Sequence, residues 1–233
     1  MIVSVHLAEV GWRRAPGMLR GRPRPGDVPG LTYAEPVLST PLRDGPVPRP
    51  GPGRVGLIAA WEDDLALDRF LGGHPLAERF ASGWHVRLEP LRVYGAWSRM
   101  PGLPTRENPV DDEEPVAVLT LGHTKLHRAV PFVRTSAPAE RAARGDPAVL
   151  ASTGFTRPPR FVSTFSLWRS AAAMRNYAHG SDGAHQAAVR ADRARPFHRE
   201  AAFIRFRPYA SEGDWDGRDP LATLIPPPPY PFA

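Results

Sequence analysis

The sequence contains no cysteine. That excludes disulfides, thiolate ligation of iron, cysteine-bound iron–sulfur clusters and thiol nucleophiles. Lysine is nearly absent as well. The 30 Lys and Arg outweigh the 24 Asp and Glu, and Lys125 is the single lysine, so the net charge of +6 is arginine charge. No apolar run approaches the ~20 residues that cross a bilayer as a helix. Met1–Val10 lacks the charged-then-apolar layout of a secretory signal. A cytoplasmic chain is expected, with arginine charge that favours acidic partners or a membrane surface. There is no Gly-x-Ser-x-Gly, no P-loop, no strand-linked Gly-x-Gly-x-x-Gly and no His-Glu-x-x-His, which leaves hydrolase, nucleotide-binding and zinc readings without support. No basic stretch interleaves with aromatics, so nucleic acid is not an expected partner.

What is present is a pattern that occurs twice. Arg54–Trp61 reads as a buried strand, followed by an acidic helix start, His74 and the strand-like Val86–Trp97. Arg160–Trp168 reads as a strand, followed by a helix over Ala171–Ala178, a Gly180–Gly183 break, a helix over His185–Arg195 and closing strands up to Trp215. Val3, Val5 and Leu7 alternate with Ser4, His6 and Ala8 as in a half-buried strand. Leu31–Leu38, Val116–Leu121 and Val149–Phe155 supply further strands, and one short helix is expected near Met18. Leu126–Ala143 is helical in spacing, with Pro138 expected to break it. Each half then reads as β-α-β-β-α-β, the ferredoxin-like order. The fold class is α+β: two ferredoxin-like halves forming a dimeric α/β-barrel-type domain. The expected limits are 1–99 for the first half, 100–115 for a linker that carries the solvated run Asp111–Glu114, 116–218 for the second half, and 219–233 for an extended proline-rich tail with no core role.

Eight histidines are candidates for chemistry. His123 and His127 are four apart, but they straddle a strand-to-helix junction, so the spacing is read as chance. His185 opens a helix after a Gly-Ser-Asp-Gly segment. His185, Val189 and Asp192 share one face, and Arg190 and Arg193 flank it. An imidazole beside apolar residues, with guanidinium groups nearby, suits axial ligation of haem iron and pairing with haem propionates. A helix-start histidine packed on the sheet has the same spacing. His74 is followed by Pro75 and a helix with only Arg79 as a base, so the first half reads as scaffold and the second as the cofactor half.

The run His185-Gln-Ala-Ala-Val189-Arg190-Ala-Asp-Arg193, with Glu200, Phe203, Arg205 and Phe206 after it, resembles the C-terminal part of spheroidene monooxygenases, bacterial carotenoid-oxidising enzymes. Phe165-Ser-Leu-Trp168-Arg-Ser-Ala-Ala-Ala-Met174, Ala59-Ala-Trp61-Glu-Asp and Leu88-Glu-Pro-Leu-Arg-Val-Tyr-Gly95-Ala-Trp97 resemble the same family, in collinear order. The resemblance implies a dimeric α/β-barrel fold, haem b, molecular oxygen as co-substrate, and oxygen insertion into an acyclic carotenoid. It gives His185 the role of iron ligand and Arg190 and Arg193 that of propionate partners; distal residues are not assigned. The partners expected are a small hydrophobic substrate, an electron donor such as a ferredoxin, peripheral contact with a membrane through the arginine charge, and a second copy of the chain in a homo-oligomer. The chain departs from the family pattern at Pro196-Phe197-His198 and in Trp12–Pro29, both at the expected pocket mouth. Two other readings are a haem-free barrel that binds or transforms a small apolar molecule and, ranked last, an arginine-rich nucleic-acid binder.

Overall fold

β1 (Ile2–Glu9) is buried on both faces rather than one. Val3, Val5 and Leu7 point into one core, and Ala8 points into a second. The reason is the architecture. In the computed structural model, which describes residues 1–41, 53–180, 183, 190 and 195–225, eight antiparallel strands close into a barrel with helices on the outside. A strand so placed has no solvent face.

After β1 come α1 (Ala15–Arg20), β2 (Leu31–Pro41), β3 (Arg54–Trp61), α2 (Asp64–Gly73), α3 (Pro75–Glu78) and β4 (Trp84–Gly95). β5 (Val116–Thr124), a 3-10 turn (Leu126–Arg128), α4 (Ala129–Gly145), β6 (Val149–Arg157), β7 (Phe161–Trp168), α5 (Ala171–His179) and β8 (His198–Gly213) follow. The barrel order is β1-β3-β2-β6-β7-β5-β8-β4. The same register occurs twice: Ile2 and Leu31 both pair with Trp61, and Val116 and Val149 both pair with Trp168. Each set has a register shift just after Leu31 or Val149. Two seams join the sets. One is short, Leu38–Pro41 of β2 against Thr153–Thr156 of β6. The other is long, Trp84–Gly95 of β4 against Ala202–Gly213 of β8.

The interior is a single apolar core, with Val5, Ile58, Trp84, Leu88, Leu119, Phe165, Ile204 and Phe206 in it. Two smaller cores lie outside, under the helices. The first contains Leu57, Trp61, Leu67 and Phe70. The second contains Val116, Val118, Trp168, Ala171 and Met174.

Several expectations change here. α4 runs on through Pro138 without a break. That proline is exposed, so the carbonyl it leaves without an amide can meet water. The strand expected over Val86–Trp97 is β4, which starts at Trp84 and ends at Gly95, with an irregularity between Pro90 and Arg92, where a proline cannot donate to the ladder. The tail does have a core role: Leu221 is fully buried in the barrel core, and Asp219 accepts hydrogen bonds from Trp84 Nε1 (3.0 Å) and Ser211 (2.7 Å). The acidic run is tied down rather than only solvated. Asp112 pairs with Arg175, and Glu114 with Arg207 at 2.8 Å. The short helix near Met18 is α1, and Met18 is its buried anchor.

Candidate functional site

The two strand sets differ most on their outer faces. By register, Leu57 and Ala59 correspond to Thr164 and Ser166, Ala34 and Pro36 to Ser152 and Gly154, and His6 and Ala8 to Thr120 and Gly122. The first set is buried throughout, with α1, α2 and α3 packed over it. In the second set Thr120, Ser152, Thr164 and Ser166 are only half-buried. Thr120 and Thr164 bond to each other across the strands at 2.7 Å. The second outer face therefore carries small, half-buried side chains where the first carries covered ones.

Aromatic groups stand at both ends of this face. Trp168, at one end, donates to Ser166 Oγ (2.9 Å), with the Tyr177 ring 5.1 Å away. His198, at the other, lies across Gly122. A Cβ at Gly122 would come within 2.7 Å of the imidazole, so only glycine admits the ring there. Phe132 of α4 meets His198 edge-on at 4.8 Å. Arg128 lies over Phe197, 5.0 Å from its ring centre.

A second polar group sits inside the barrel at the end where β5 finishes. Glu35 points inward from β2 with a side chain 2% exposed, and Arg157 donates to it at 2.5 Å. Arg22 is 3.5 Å from the same carboxylate, and Tyr33 OH donates to it at 3.4 Å. Burial and the Glu35 charge raise the Tyr33 phenol above its ordinary value, so it stays a proton donor. Across the mouth His123 packs on Trp97 at 4.7 Å, with Glu200 at 3.9 Å from its Nδ1. Burial, followed by Arg99, lowers the His123 pKa and favours neutral imidazole. Burial raises the Glu200 carboxyl, but its bonds to the Ser98 backbone and hydroxyl outweigh that and leave it lowered.

His185 and Arg193 lie outside the described residues. Arg190 is helical and exposed. His74 is structural: it caps α3 by accepting from Leu76 N–H at 3.1 Å, and it stacks on Phe70. His123 and His127 do not share a face, since His123 pairs with Phe161 in the sheet while His127 is exposed on the 3-10 turn. Among the described residues no group of three or more metal-ligating side chains gathers. Sequence reasoning gave His198 no role beyond the departure at the expected pocket mouth, and passed over Glu35. The signal for Glu35 was a carboxylate at an inward position of a strand.

No family model matches the chain. The spheroidene monooxygenase of Rubrivivax gelatinosus is 35% identical over 195 residues, which cover 82% of this chain and 73% of that one. The spheroidene monooxygenase of Rhodobacter capsulatus is 30% identical over 188 residues, 78% of each chain. Among solved structures, an aldoxime dehydratase superposes with a TM-score of 0.53 at 9% identity, over 89% of this chain and 80% of that one. That likeness is one of fold. The chain belongs to the spheroidene monooxygenase family.

Proposed function

We propose that this protein is a haem-dependent monooxygenase that inserts oxygen into an acyclic carotenoid, with its prosthetic group on the outer face of β5–β8. The observation that carries this is the contrast between the two outer faces: where the first half is filled with Leu57, Ala59, Pro36 and His6, the second has Thr164, Ser166, Gly154 and Thr120. On this reading the barrel is two fused ferredoxin-like halves, a dimeric α/β barrel within one chain, and only the second keeps a cofactor face.

The residues fit such a group. Gly122, Gly154 and Thr120 put little or no side chain where a planar macrocycle would lie, and Phe132 and Trp168 offer aromatic margins. His185 is the proposed iron ligand, with Arg190 and Arg193 toward the propionates. Bound haem supplies activation of molecular oxygen, with electrons from a donor such as a ferredoxin. The protein's own part is positioning and exclusion of water. Val118 and Trp168 make part of this face apolar, and Thr120 and Thr164 satisfy each other's hydroxyls; an apolar polyene would gain from such a surface.

The test is the absorption spectrum of purified, haem-reconstituted protein with a carotenoid turnover assay. A Soret band that His185→Ala moves or abolishes, and that His198→Ala retains, supports the assignment. Loss in His198→Ala alone would transfer the ligand role to the imidazole over Gly122. No Soret band after reconstitution would leave the haem-free barrel reading instead.

A further inference from the structure

Three segments meet where β5 ends. Thr124 N–H donates to the Arg160 carbonyl and Lys125 N–H to the Phe197 carbonyl, both at 2.9 Å. Lys125 Nζ reaches the Pro196 carbonyl at 3.3 Å, and Arg128 Nη2 the Arg195 carbonyl at 3.2 Å. Residues 121–128, 156–163 and 195–199 thus form one surface at one end of the barrel. They carry Lys125, Arg128, Arg157, Arg160, Arg195 and Arg199, and no Asp or Glu. Arg157 is held by Glu35. The other five have no ion pair to a carboxylate among the described residues. Leu126 stands out of this collar, 51% exposed, beside the exposed His127, Pro158, Pro159 and Pro196.

An apolar tip among cations that form no ion pair with a carboxylate among the described residues matches the boundary of a bilayer, where a leucine enters the acyl edge and cations meet lipid phosphates; Glu200, next to Arg199, is taken up by the Ser98 backbone and His123. A nucleic acid would want exposed aromatics for stacking, and Phe197 is buried instead. An acidic protein would use the charge but draw little from Leu126.

We propose that this face docks the protein onto an anionic lipid bilayer through Leu126 and the cations around it. The collar adjoins the outer face of β5–β8, because Phe197 and His198 pack against Phe132 there. Docking would bring that face toward lipid-dissolved apolar molecules. The inference rests on the proposed substrate class only for that consequence. Docking itself is read without haem or turnover, so the two readings fail separately.

The protein carries its own control. Trp12 is 66% exposed, with Arg13 5.2 Å from its ring centre. It follows β1, which runs opposite to β5 because three antiparallel pairings separate them. Trp12 therefore lies at the other end of the barrel, near the carboxylates of Glu9 and Asp216, which Arg54 bridges.

The experiment is co-sedimentation of the whole chain with phosphatidylcholine vesicles, with and without about 30% phosphatidylglycerol, at low and at roughly 0.5 M salt, which screens surface charge. Binding should require phosphatidylglycerol and reverse in high salt. Leu126→Asp should weaken it about tenfold or more, Arg199→Ala about fivefold, and Trp12→Ala not at all. Circular dichroism confirms that each variant folds, and if Leu126→Asp does not, Arg199→Ala carries the test. Full binding by the folded variants, equal binding to pure phosphatidylcholine, or loss in Trp12→Ala overturns the proposal. Displacement from the vesicles by an acidic ferredoxin, undiminished in Leu126→Asp, overturns it in favour of a protein partner.

Discussion

His6 and His85 face each other across β1 and β4 and stack at 5.3 Å under the first helical layer. His6 is fully buried; its Nε2 meets Ser4 Oγ at 2.9 Å, and its Nδ1 has no hydrogen-bond partner among the described residues. Burial, then the neighbouring imidazole and Arg87, lowers the His6 pKa. Burial, then Arg87, lowers His85 to about 4. Both folded values lie below the ordinary histidine value, so the unfolded chain takes up these protons first as pH falls. Stability is therefore complete above about pH 6.5 and declines toward pH 4, by up to ~1.4 kcal/mol per pH unit for each histidine. Urea midpoints at pH 7, 6 and 5 should show the decline. His85→Phe, which installs the residue type that Phe203 supplies at the matching place in β8, should lessen the decline and leave the share of His6; an unchanged slope would refute the assignment. At this scale the sequence was legible where chemistry needs few neighbours. His74 beside Pro75 read as part of a scaffold, and it caps α3. Glu35 and His198 did not show, because an inward carboxylate and a ring over Gly122 acquire meaning only from strands distant in sequence.

Among elements, the most legible feature is the hand-over from strand to helix. Trp61-Glu62-Asp63 and Trp168-Arg169-Ser170 end their strands alike, and the residue two after each tryptophan caps the next helix. Asp63 accepts from Ala66 N–H at 2.9 Å, and Ser170 from Ala173 N–H at 3.2 Å. Each cap satisfies an amide that the helix leaves open. Asp63→Ala and Ser170→Ala should each cost about 1 kcal/mol by chemical denaturation, and the double variant about the sum, since the caps share no partner. A double variant no less stable than either single one would show that the two helices do not add independently. What local pattern could not give was continuity. Pro138 reads as a breaker, yet α4 passes through it on an exposed face. Leu221 reads as tail, yet its burial depends on Trp84 and the barrel end that it closes.

For the whole molecule, the repeat in the sequence predicted two similar units, and the register around Trp61 and Trp168 repeats residue for residue. The sequence did not reveal how the sets join, because strand pairing across halves leaves no mark in local periodicity. The seams are unequal: β4 and β8 pair along nearly their whole shared length, while β2 and β6 meet only at Leu38–Pro41 and Thr153–Thr156. A ring closed by one long weld and one short clasp opens at the clasp. Amide hydrogens of residues 38–40 and 153–156 should exchange faster than those of residues 84–89 and 91–95. Uniform exchange across both seams would mean that the cylinder breathes as one body. With the clasp released, the chain would still be held along β4 and β8 as a single eight-stranded ribbon, its free edges at β2 and β6.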